Sequence, residues 1–363
     1  MGSDLESHCC YKSTSSDIIE KVDMHLGSRF RLATLPTPLH ELPRLREALG
    51  GRHRCPRILI KRDDLTGLAF GGNKARKLEF LVGDALRAGA TVLVTSGAVQ
   101  SNHARMTAAA ARAAGMRAAL VLTSETERPA MQGNLLLDRL LGAELHFIAA
   151  NPDPLIAIGD AEAAKIAEVV DALKARGERP YVIPVGGSSS IGTLGYVTGT
   201  LEIAGQLFNM DESPSRLYYA SGSRGTQAGL TLGCKMYDVP YRLCGIAVSG
   251  GEPEKTARAL RIANEAAVRL GIAGRVREED LTTNHDHIGG GYGIPTAGSS
   301  EAIRLLAQSE GIFLDPVYTA KAMAGLIDDI RRGVVAADES LLFLHSGGTP
   351  ALFAHVDDLL NCA

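Results

Sequence analysis

The strongest constraint on the fold is a repeated alternation of short apolar runs with longer segments of helical periodicity. The runs ILI (58–60), TVLVTSG (91–97) and AALVLTS (118–124) each precede a segment rich in Ala, Leu or Arg. The same order recurs where YVIPVGG, RLYYASG and RLCGIAVSG precede the helical segments 191–208, 225–237 and 253–270. Continuously apolar strands separated by helices predict parallel sheets that are covered on both faces. The fold class is therefore predicted to be α/β.

The number of these units predicts two domains. The repeated strand–helix units exceed one ordinary sheet, so we expect two domains, each with a mainly parallel sheet flanked by helices. Helices between residues 72 and about 190 are richer in Ala and Arg than the rest. We therefore predict a small domain at 73–190, a large domain formed by 23–72 and 191–363, and a disordered polar tail at 1–22.

Charge and composition narrow the class of ligand. The chain has 38 Lys and Arg residues against 41 Asp and Glu residues, a formal net charge of -3. The basic residues are interspersed with acidic ones, which argues against nucleic acid and membrane surfaces as partners and favours a small molecule. The chain has no signal-like start, and its scattered cysteines lack the spacing of a metal site, so we expect a cytoplasmic protein without metal.

Glycine-rich turns follow several of the predicted strands, where parallel sheets bind their ligands. None of these turns matches a nucleotide-binding fingerprint, because GGNK lacks the P-loop spacing and no clean G-x-G-x-x-G opens the first unit. The segment SGSRGTQAGL (221–230) suits a phosphorylated cofactor, because a glycine turn that opens a helix directs backbone N–H groups at a phosphate. The competing interpretation is an ordinary helix start capped by Ser223 or Thr226.

Lys74 is the candidate nucleophile. It stands directly after two glycines and an asparagine, at the start of the helical segment KARKLEFL. The positive end of a helix lowers the pKa of an ammonium and so favours the neutral amine that attacks a carbonyl carbon. Lys61 and Lys77, by contrast, are expected to face solvent as most lysines do.

Six motifs then follow one another in an order that identifies a family. They are FGGNKARKLEFL (70–81), SGAVQSNHARMTAA (96–109), SGSRGTQAGL (221–230), GGGYGIP (289–295), LDPVYTAKAM (314–323) and HSGGTPALF (345–353). Together they resemble the pyridoxal-phosphate-dependent D-cysteine desulfhydrases and 1-aminocyclopropane-1-carboxylate deaminases. The resemblance implies the tryptophan-synthase-β-like fold of fold-type II enzymes, the cofactor pyridoxal 5'-phosphate, an amino-acid substrate and a homodimer.

The resemblance also implies roles for particular residues. It makes Lys74 the lysine that binds the cofactor covalently, and it makes the turn Gly222, Ser223, Arg224, Gly225 and Thr226 the phosphate site. Ser101, Asn102 and His103 are then expected to open a helix beneath the cofactor, where Ser101 acts in catalysis, Asn102 lies near the ring hydroxyl and all three bind the substrate carboxylate. Tyr292 and Tyr318 are expected to transfer protons or to orient the substrate, and Thr319 is expected to meet the pyridine nitrogen.

Two departures from the deaminase pattern favour an α,β-elimination that releases sulfur. His103 stands where the cyclopropane-opening deaminases usually carry Gln, and Thr319 stands where they carry Glu. A carboxylate keeps a proton on the ring nitrogen better than a hydroxyl does, and opening a carbon ring needs the stronger electron sink. We therefore predict a lyase that converts D-cysteine to pyruvate, ammonia and sulfide.

The sequence is compatible with several further activities. Relatives with the same pattern release sulfite from L-cysteate, and Arg224 would favour that sulfonate if its side chain adds a charge to the cavity instead of pointing to solvent. The sequence also allows three other functions: a 1-aminocyclopropane-1-carboxylate deaminase, a β-replacement synthase and a non-catalytic binding protein with this fold.

Overall fold

The apolar runs form the strands of two separate sheets. The structure is a computed structural model that describes residues 27–151, 159–272 and 275–360, so the predicted tail at 1–22 lies outside the described residues. The strands are β1 (Leu39–Glu41), β2 (Arg57–Arg62), β3 (Val92–Ala98), β4 (Arg117–Ser124), β5 (Glu144–Ala149), β6 (Pro180–Val182), β7 (Arg216–Ser221), β8 (Arg242–Ala247), β9 (Thr283–Asn284) and β10 (Ser340–His345).

Helices connect these strands. They are α1 (Pro43–Ala48), α2 (Lys74–Arg87), α3 (Asn102–Ala113), α4 (Gly133–Leu140), α5 (Gly159–Ala175), α6 (Ser190–Asn209), α7 (Gly225–Tyr237), α8 (Glu254–Arg269), α9 (Ala297–Glu310), α10 (Thr319–Arg331) and α11 (Val356–Leu360). Of these, α2, α3, α4, α6, α7 and α8 follow the predicted segments. The segment 225–237 is predicted with the bounds that α7 has, and the other quoted segments differ by a few residues at their ends, where helix limits are least determined by sequence.

The larger sheet has the strand order β1-β2-β10-β7-β8-β9, and the smaller has the order β5-β4-β3-β6. All pairings are parallel except that of the edge strand β1 with β2. The α/β class with two mainly parallel sheets is thus confirmed. The larger sheet is assembled from strands on both sides of the segment that forms the smaller one, and the domain limits at 72/73 and 190/191 stay a prediction.

Both faces of the larger sheet are buried, as its continuously apolar strands require. Alternate residues of the same strands pack into different clusters: Ile58 and Phe343 lie with Met323 of α10, and Leu59 lies with Tyr196 of α6. This double coverage buries Lys61 of β2 completely, and its ammonium group donates to Glu202, Gln206 and the Thr37 carbonyl. The solvent-facing position expected for Lys61 is wrong.

Candidate active site

A cavity of about 890 Å³ opens where the carboxyl ends of strands from both sheets meet. Its wall includes Gly97 and Ala98 at the end of β3, Ser221 at the end of β7 and Ser346 directly after β10. This is the edge at which parallel sheets bind ligands. Of the predicted site residues, the cavity wall includes Lys74, Ser101, Asn102, His103, Gly222, Ser223, Arg224, Thr226, Tyr292 and Tyr318.

Lys74 is the first residue of α2, and its Nζ donates to Asn73 Oδ1 at 3.0 Å. Burial lowers its pKa to about 8, while Asp315 raises the pKa and Arg105 lowers it further. A substantial fraction of the amine is therefore neutral near pH 8. The direction agrees with the sequence argument, although burial rather than the helix dipole is the largest cause.

Lys77 is buried, so the prediction that it faces solvent is wrong. Its Nζ donates to the Gly186 carbonyl at 3.1 Å. A Cβ placed on Gly225, in the predicted phosphate turn, would lie 2.9 Å from the same Nζ. Burial, and to a lesser extent Lys74, lowers the pKa of Lys77 well below its usual value. The signal that sequence reasoning missed is the three-residue spacing from Lys74, which puts both lysines on one side of α2.

Ser101 caps the N-terminus of α3, which faces the cavity. Its Oγ accepts from the Ala104 N–H at 3.2 Å, and this leaves the hydroxyl hydrogen available to another acceptor. Gly97 makes room for this side chain, because a Cβ at Gly97 would lie 2.5 Å from Ser101 Oγ. The cap and the helix dipole suit an anion such as a carboxylate.

His103 is buried and neutral in this arrangement. Thr95 Oγ1 donates to the Ile183 carbonyl at 2.7 Å, so it accepts at 2.9 Å from His103 Nε2, which we assign as the protonated ring nitrogen. Burial lowers the pKa of His103 well below its usual value, and Lys74 and Lys77 lower it further. His103 is therefore suited to hydrogen bonding and not to acting as a fixed positive charge.

The turn from β7 to α7 has the geometry of an anion site. The N-cap residue of α7 is Arg224, whose side chain makes no capping hydrogen bond, so the capping role considered for Ser223 or Thr226 is not observed. Ser188 Oγ accepts from the Gly225 N–H at 3.2 Å and donates to Ser223 Oγ at 2.8 Å, so a second loop supports the turn. The backbone approaches closely here, since a Cβ at Gly186 would lie 2.0 Å from Ser223 Oγ.

Arg224 matches neither of the two orientations expected for it. Its guanidinium is buried, forms an ion pair with Glu252, and donates to Ser221 Oγ at 2.9 Å and to Thr283 Oγ1 at 2.7 Å. This network holds Arg224 at φ +72°, a conformation that costs a residue other than glycine about 1–3 kcal/mol. The positive charge is therefore used to fix the turn, and among the guanidinium nitrogens only Nε has no hydrogen-bond partner within the described residues.

Tyr292 and Tyr318 form a pair at the cavity wall. Their hydroxyl groups hydrogen-bond to each other, and their rings meet edge to face with centroids 5.9 Å apart. Burial raises the pKa of both phenols above the usual value, and most strongly for Tyr318. Both are therefore protonated near neutral pH, each with an oxygen that can accept or pass on a proton.

Thr319, unlike most of the predicted site residues, does not line the cavity. It is completely buried, and its Oγ1 donates to Asp315 Oδ1 at 2.7 Å while it accepts from the Asp315 N–H at 2.8 Å. Asp315 also accepts from the Tyr318 N–H at 2.9 Å, so the pair fixes the start of α10. Ser346, in the HSGGT motif, is part of the cavity wall.

The geometry fits pyridoxal phosphate. A buried amine of lowered pKa lies on the cavity wall together with a glycine turn at a helix N-terminus, and a second buried ammonium group lies against that turn. Within residues 27–151, 159–272 and 275–360, no group of three or more His, Cys, Asp or Glu side chains is arranged to hold a metal ion. Over the same ranges, no helix combines the length and apolarity needed to cross a membrane.

Comparison with known sequences agrees with this chemistry. The family model described as pyridoxal-phosphate dependent enzyme matches residues 30–347. The D-cysteine desulfhydrase of Salmonella choleraesuis (strain SC-B67) is 44% identical over 331 residues, which cover 90% of this chain and 96% of that protein. The D-cysteine desulfhydrase of Salmonella newport (strain SL254) is 43% identical with the same coverage.

Solved structures agree as well. The crystal structure of an ACC deaminase homologue superposes with a TM-score of 0.84 at 40% sequence identity and covers 94% of this chain and 99% of its own. The processed form of threonine deaminase isoform 2 from Solanum lycopersicum gives a TM-score of 0.64 at 17% identity, with 97% of this chain and 89% of that chain covered, and shares the fold. The family model, the curated relatives and the fold together establish that this chain belongs to the family of pyridoxal-phosphate-dependent enzymes.

Proposed function

We propose that the protein is a carbon–sulfur lyase that converts D-cysteine to pyruvate, ammonia and sulfide. The observation that carries the proposal is the buried amine of Lys74, whose pKa is lowered to about 8, on the wall of a cavity that also exposes an anion-binding turn. The relatives named D-cysteine desulfhydrase support the choice of substrate. When bound, pyridoxal phosphate supplies the electron sink that the elimination needs.

Residues at the N-terminal ends of α2, α3 and α7 would hold the cofactor. Lys74 is the proposed covalent attachment point, and the turn Gly222–Thr226 with the ammonium group of Lys77 is the proposed phosphate site. Asn102 is proposed to donate to the ring hydroxyl. Because the Thr319 hydroxyl is engaged by Asp315, we propose Ser346 in its place as the partner of the pyridine nitrogen.

We propose that Lys74, Ser101, Tyr292 and Tyr318 move protons. Lys74 and Ser101 both lie on the cavity wall, where the neutral Lys74 amine can take up a proton from the substrate Cα and the Ser101 hydroxyl can relay a proton. The hydrogen-bonded Tyr292 and Tyr318 hydroxyls can deliver a proton to a departing sulfur. Substrate carboxylate binding is proposed at the N-terminus of α3, at Ser101, Asn102 and His103.

The charge states of Arg224 and His103 favour D-cysteine over L-cysteate. A sulfonate needs a positive partner, and Arg224, the candidate for that partner, is neutralised by Glu252. His103 is neutral as well, because burial lowers its pKa. A thiol leaving group does not need a positive partner.

We further propose that the protein is a cytoplasmic homodimer. Phe70 and Phe353 are 70% and 69% exposed, and we propose that a second copy covers them. Cys55, Cys234 and Cys244 are free thiols, as a reducing compartment favours. Light scattering of the purified protein measures the oligomeric state: twice the chain mass supports the dimer, and a monomer contradicts it.

A substrate panel tests the proposed activity. Purified protein is incubated with D-cysteine, L-cysteine, L-cysteate and 1-aminocyclopropane-1-carboxylate, and keto acid, sulfide and sulfite are measured. Pyruvate and sulfide from D-cysteine are expected. Sulfite from L-cysteate identifies the sulfo-lyase, 2-oxobutyrate identifies the deaminase, and the absence of keto acid from every substrate contradicts the lyase and leaves the synthase or the binding protein.

A further inference from the structure

Asn134, a residue that no sequence motif singles out, is bonded to the segment that carries Ser101. It is the second residue of α4 and is completely buried. Its backbone N–H donates to Gln100 Oε1 at 2.9 Å, and its Nδ2 donates to the Gln100 carbonyl at 2.8 Å and to Asn102 Oδ1 at 3.0 Å. Three hydrogen bonds thus run from one buried residue to the two neighbours of Ser101.

The bond to Asn102 determines which end of that side chain faces the cavity. Because Asn102 Oδ1 accepts from Asn134, the amide NH₂ of Asn102 is the end left for a ligand. Without this bond either end of the amide can face the ligand, because an amide presents a donor and an acceptor of almost the same shape. Asn134 therefore makes Asn102 a hydrogen-bond donor toward the cavity.

The same face of α4 approaches the segments around the cavity at a second residue, Asp138. Asp138 lies one turn after Asn134, and it raises the pKa of Arg105, which lies one turn after Asn102 on α3. Arg105 donates to the Gly71 carbonyl at 2.9 Å, three residues before Lys74. Gly133 allows the approach of α4, since it has φ +54° and a Cβ there would lie 2.4 Å from Gln100 Oε1.

We propose that Asn134 is a positioning residue that acts through Asn102, holding the amide NH₂ of Asn102 toward the cofactor ring and fixing the N-terminus of α3. The inference rests on the proposed function, because it takes pyridoxal phosphate as the group that accepts the Asn102 hydrogen bond. Asn134 itself is not part of the cavity wall.

A double-mutant cycle tests this coupling on the cofactor-free protein. Wild type, Asn134→Ala, Asn102→Ala and the double variant are titrated with pyridoxal phosphate, and the dissociation constant and the pH midpoint of the bound cofactor's absorbance are measured. Asn134→Ala is expected to weaken binding about tenfold and to move the midpoint. In the Asn102→Ala background the same change should cost less than about twofold.

Leu135→Ala is the matched control, because Leu135 is a buried neighbour on α4 that packs in the apolar core. It should lower thermal stability and leave cofactor affinity and the pH midpoint at their wild-type values. Equal losses from Asn134→Ala in both backgrounds, or no loss in either, overturn the inference. If Asn134→Ala does not fold, Asn134→Ser enters the same cycle. Wild type that takes up no pyridoxal phosphate overturns the proposed function itself, which separates the two failures.

Discussion

Buried cations on the two sides of helix α2 have different hydrogen-bond partners. On one side Arg76 donates to Asp63 Oδ1 and Oδ2, both at 2.8 Å, and to Glu202. On the other side Lys74 and Lys77 each donate to an uncharged oxygen, of Asn73 and of Gly186. The helix therefore has one side on which carboxylates balance the charge and one on which they do not.

The pKa directions follow this difference. Burial alone lowers the pKa of Arg76, but Asp63 and Glu202 reverse the effect and raise it well above its usual value. Burial dominates at the two lysines and lowers the pKa of both. A buried cation without a carboxylate is costly unless a ligand supplies the missing negative charge. The contrast thus separates cations that hold the fold together from cations that serve a ligand.

Lys74→Ala should give the largest effect on the ligand side. We expect turnover of D-cysteine to fall about ten-thousandfold or more while the fold persists, because the alanine side chain has no amine to bind the cofactor. Pyruvate formation and circular dichroism measure the two parts. Turnover near the wild-type rate would remove Lys74 from its central role.

Asp63→Asn should give the largest effect on the balanced side. It leaves the buried guanidinium of Arg76 short of one carboxylate and should lower the free energy of unfolding by about 3–5 kcal/mol. Denaturant unfolding of the cofactor-free protein measures this change. A variant as stable as wild type would show that the ion pair does not support the fold.

Lys77→Met should weaken the affinity for pyridoxal phosphate by about tenfold to a hundredfold, the loss expected for one charge-assisted hydrogen bond. Stability without cofactor should stay the same or rise, because a buried ammonium group is removed. Absorbance titration and thermal unfolding provide the two values. Unchanged cofactor affinity together with lower stability would show that Lys77 holds the fold together and does not serve a ligand.

Asp138 extends the contrast to a buried carboxyl group and should give the smallest effect. Burial raises its pKa to about 8, against the opposing effect of Arg105, and neither carboxylate oxygen has a hydrogen-bond partner among the described residues. Because the pKa in the folded state exceeds the value of about 3.9 in the unfolded chain, its stabilising contribution is lost as pH rises toward 8. We expect a loss of about 2 kcal/mol between pH 6 and pH 8 from this group, and a flatter profile in Asp138→Asn. Equal slopes for the two proteins would contradict the assignment.

Local sequence patterns predicted the framework, and they predicted less of what packs around it. Apolar runs and helical periodicity indicated the strands β2, β3, β4, β6, β7 and β8 and the helices that follow them, because those signals are local. The burial of Lys61 and Lys77 depends on Glu202, Gly186 and Gly225, which are distant in sequence, so the general tendency of lysine to be exposed gave the wrong prediction.

Within the site, the motifs indicated which residues lie at the cavity and did not indicate what the side chains contact. Lys74, Ser101 and Tyr318 lie on the cavity wall. The guanidinium of Arg224 and the hydroxyl of Thr319 are instead engaged by Glu252 and Asp315. Arg224 and Glu252 stand on the loops after two different strands, whereas Thr319 and Asp315 are four residues apart in one motif, and the motif alone does not show that their side chains pair.

The central claim is that pyridoxal phosphate is bound covalently to Lys74 in the native protein. Borohydride reduction of the protein with its cofactor, followed by mass spectrometry of its peptides, tests the claim directly. We predict near-visible absorbance before reduction, its loss afterwards, and one modified peptide with the cofactor on Lys74. A protein that stays colourless with excess pyridoxal phosphate, or a label on Lys77 in place of Lys74, would contradict the account.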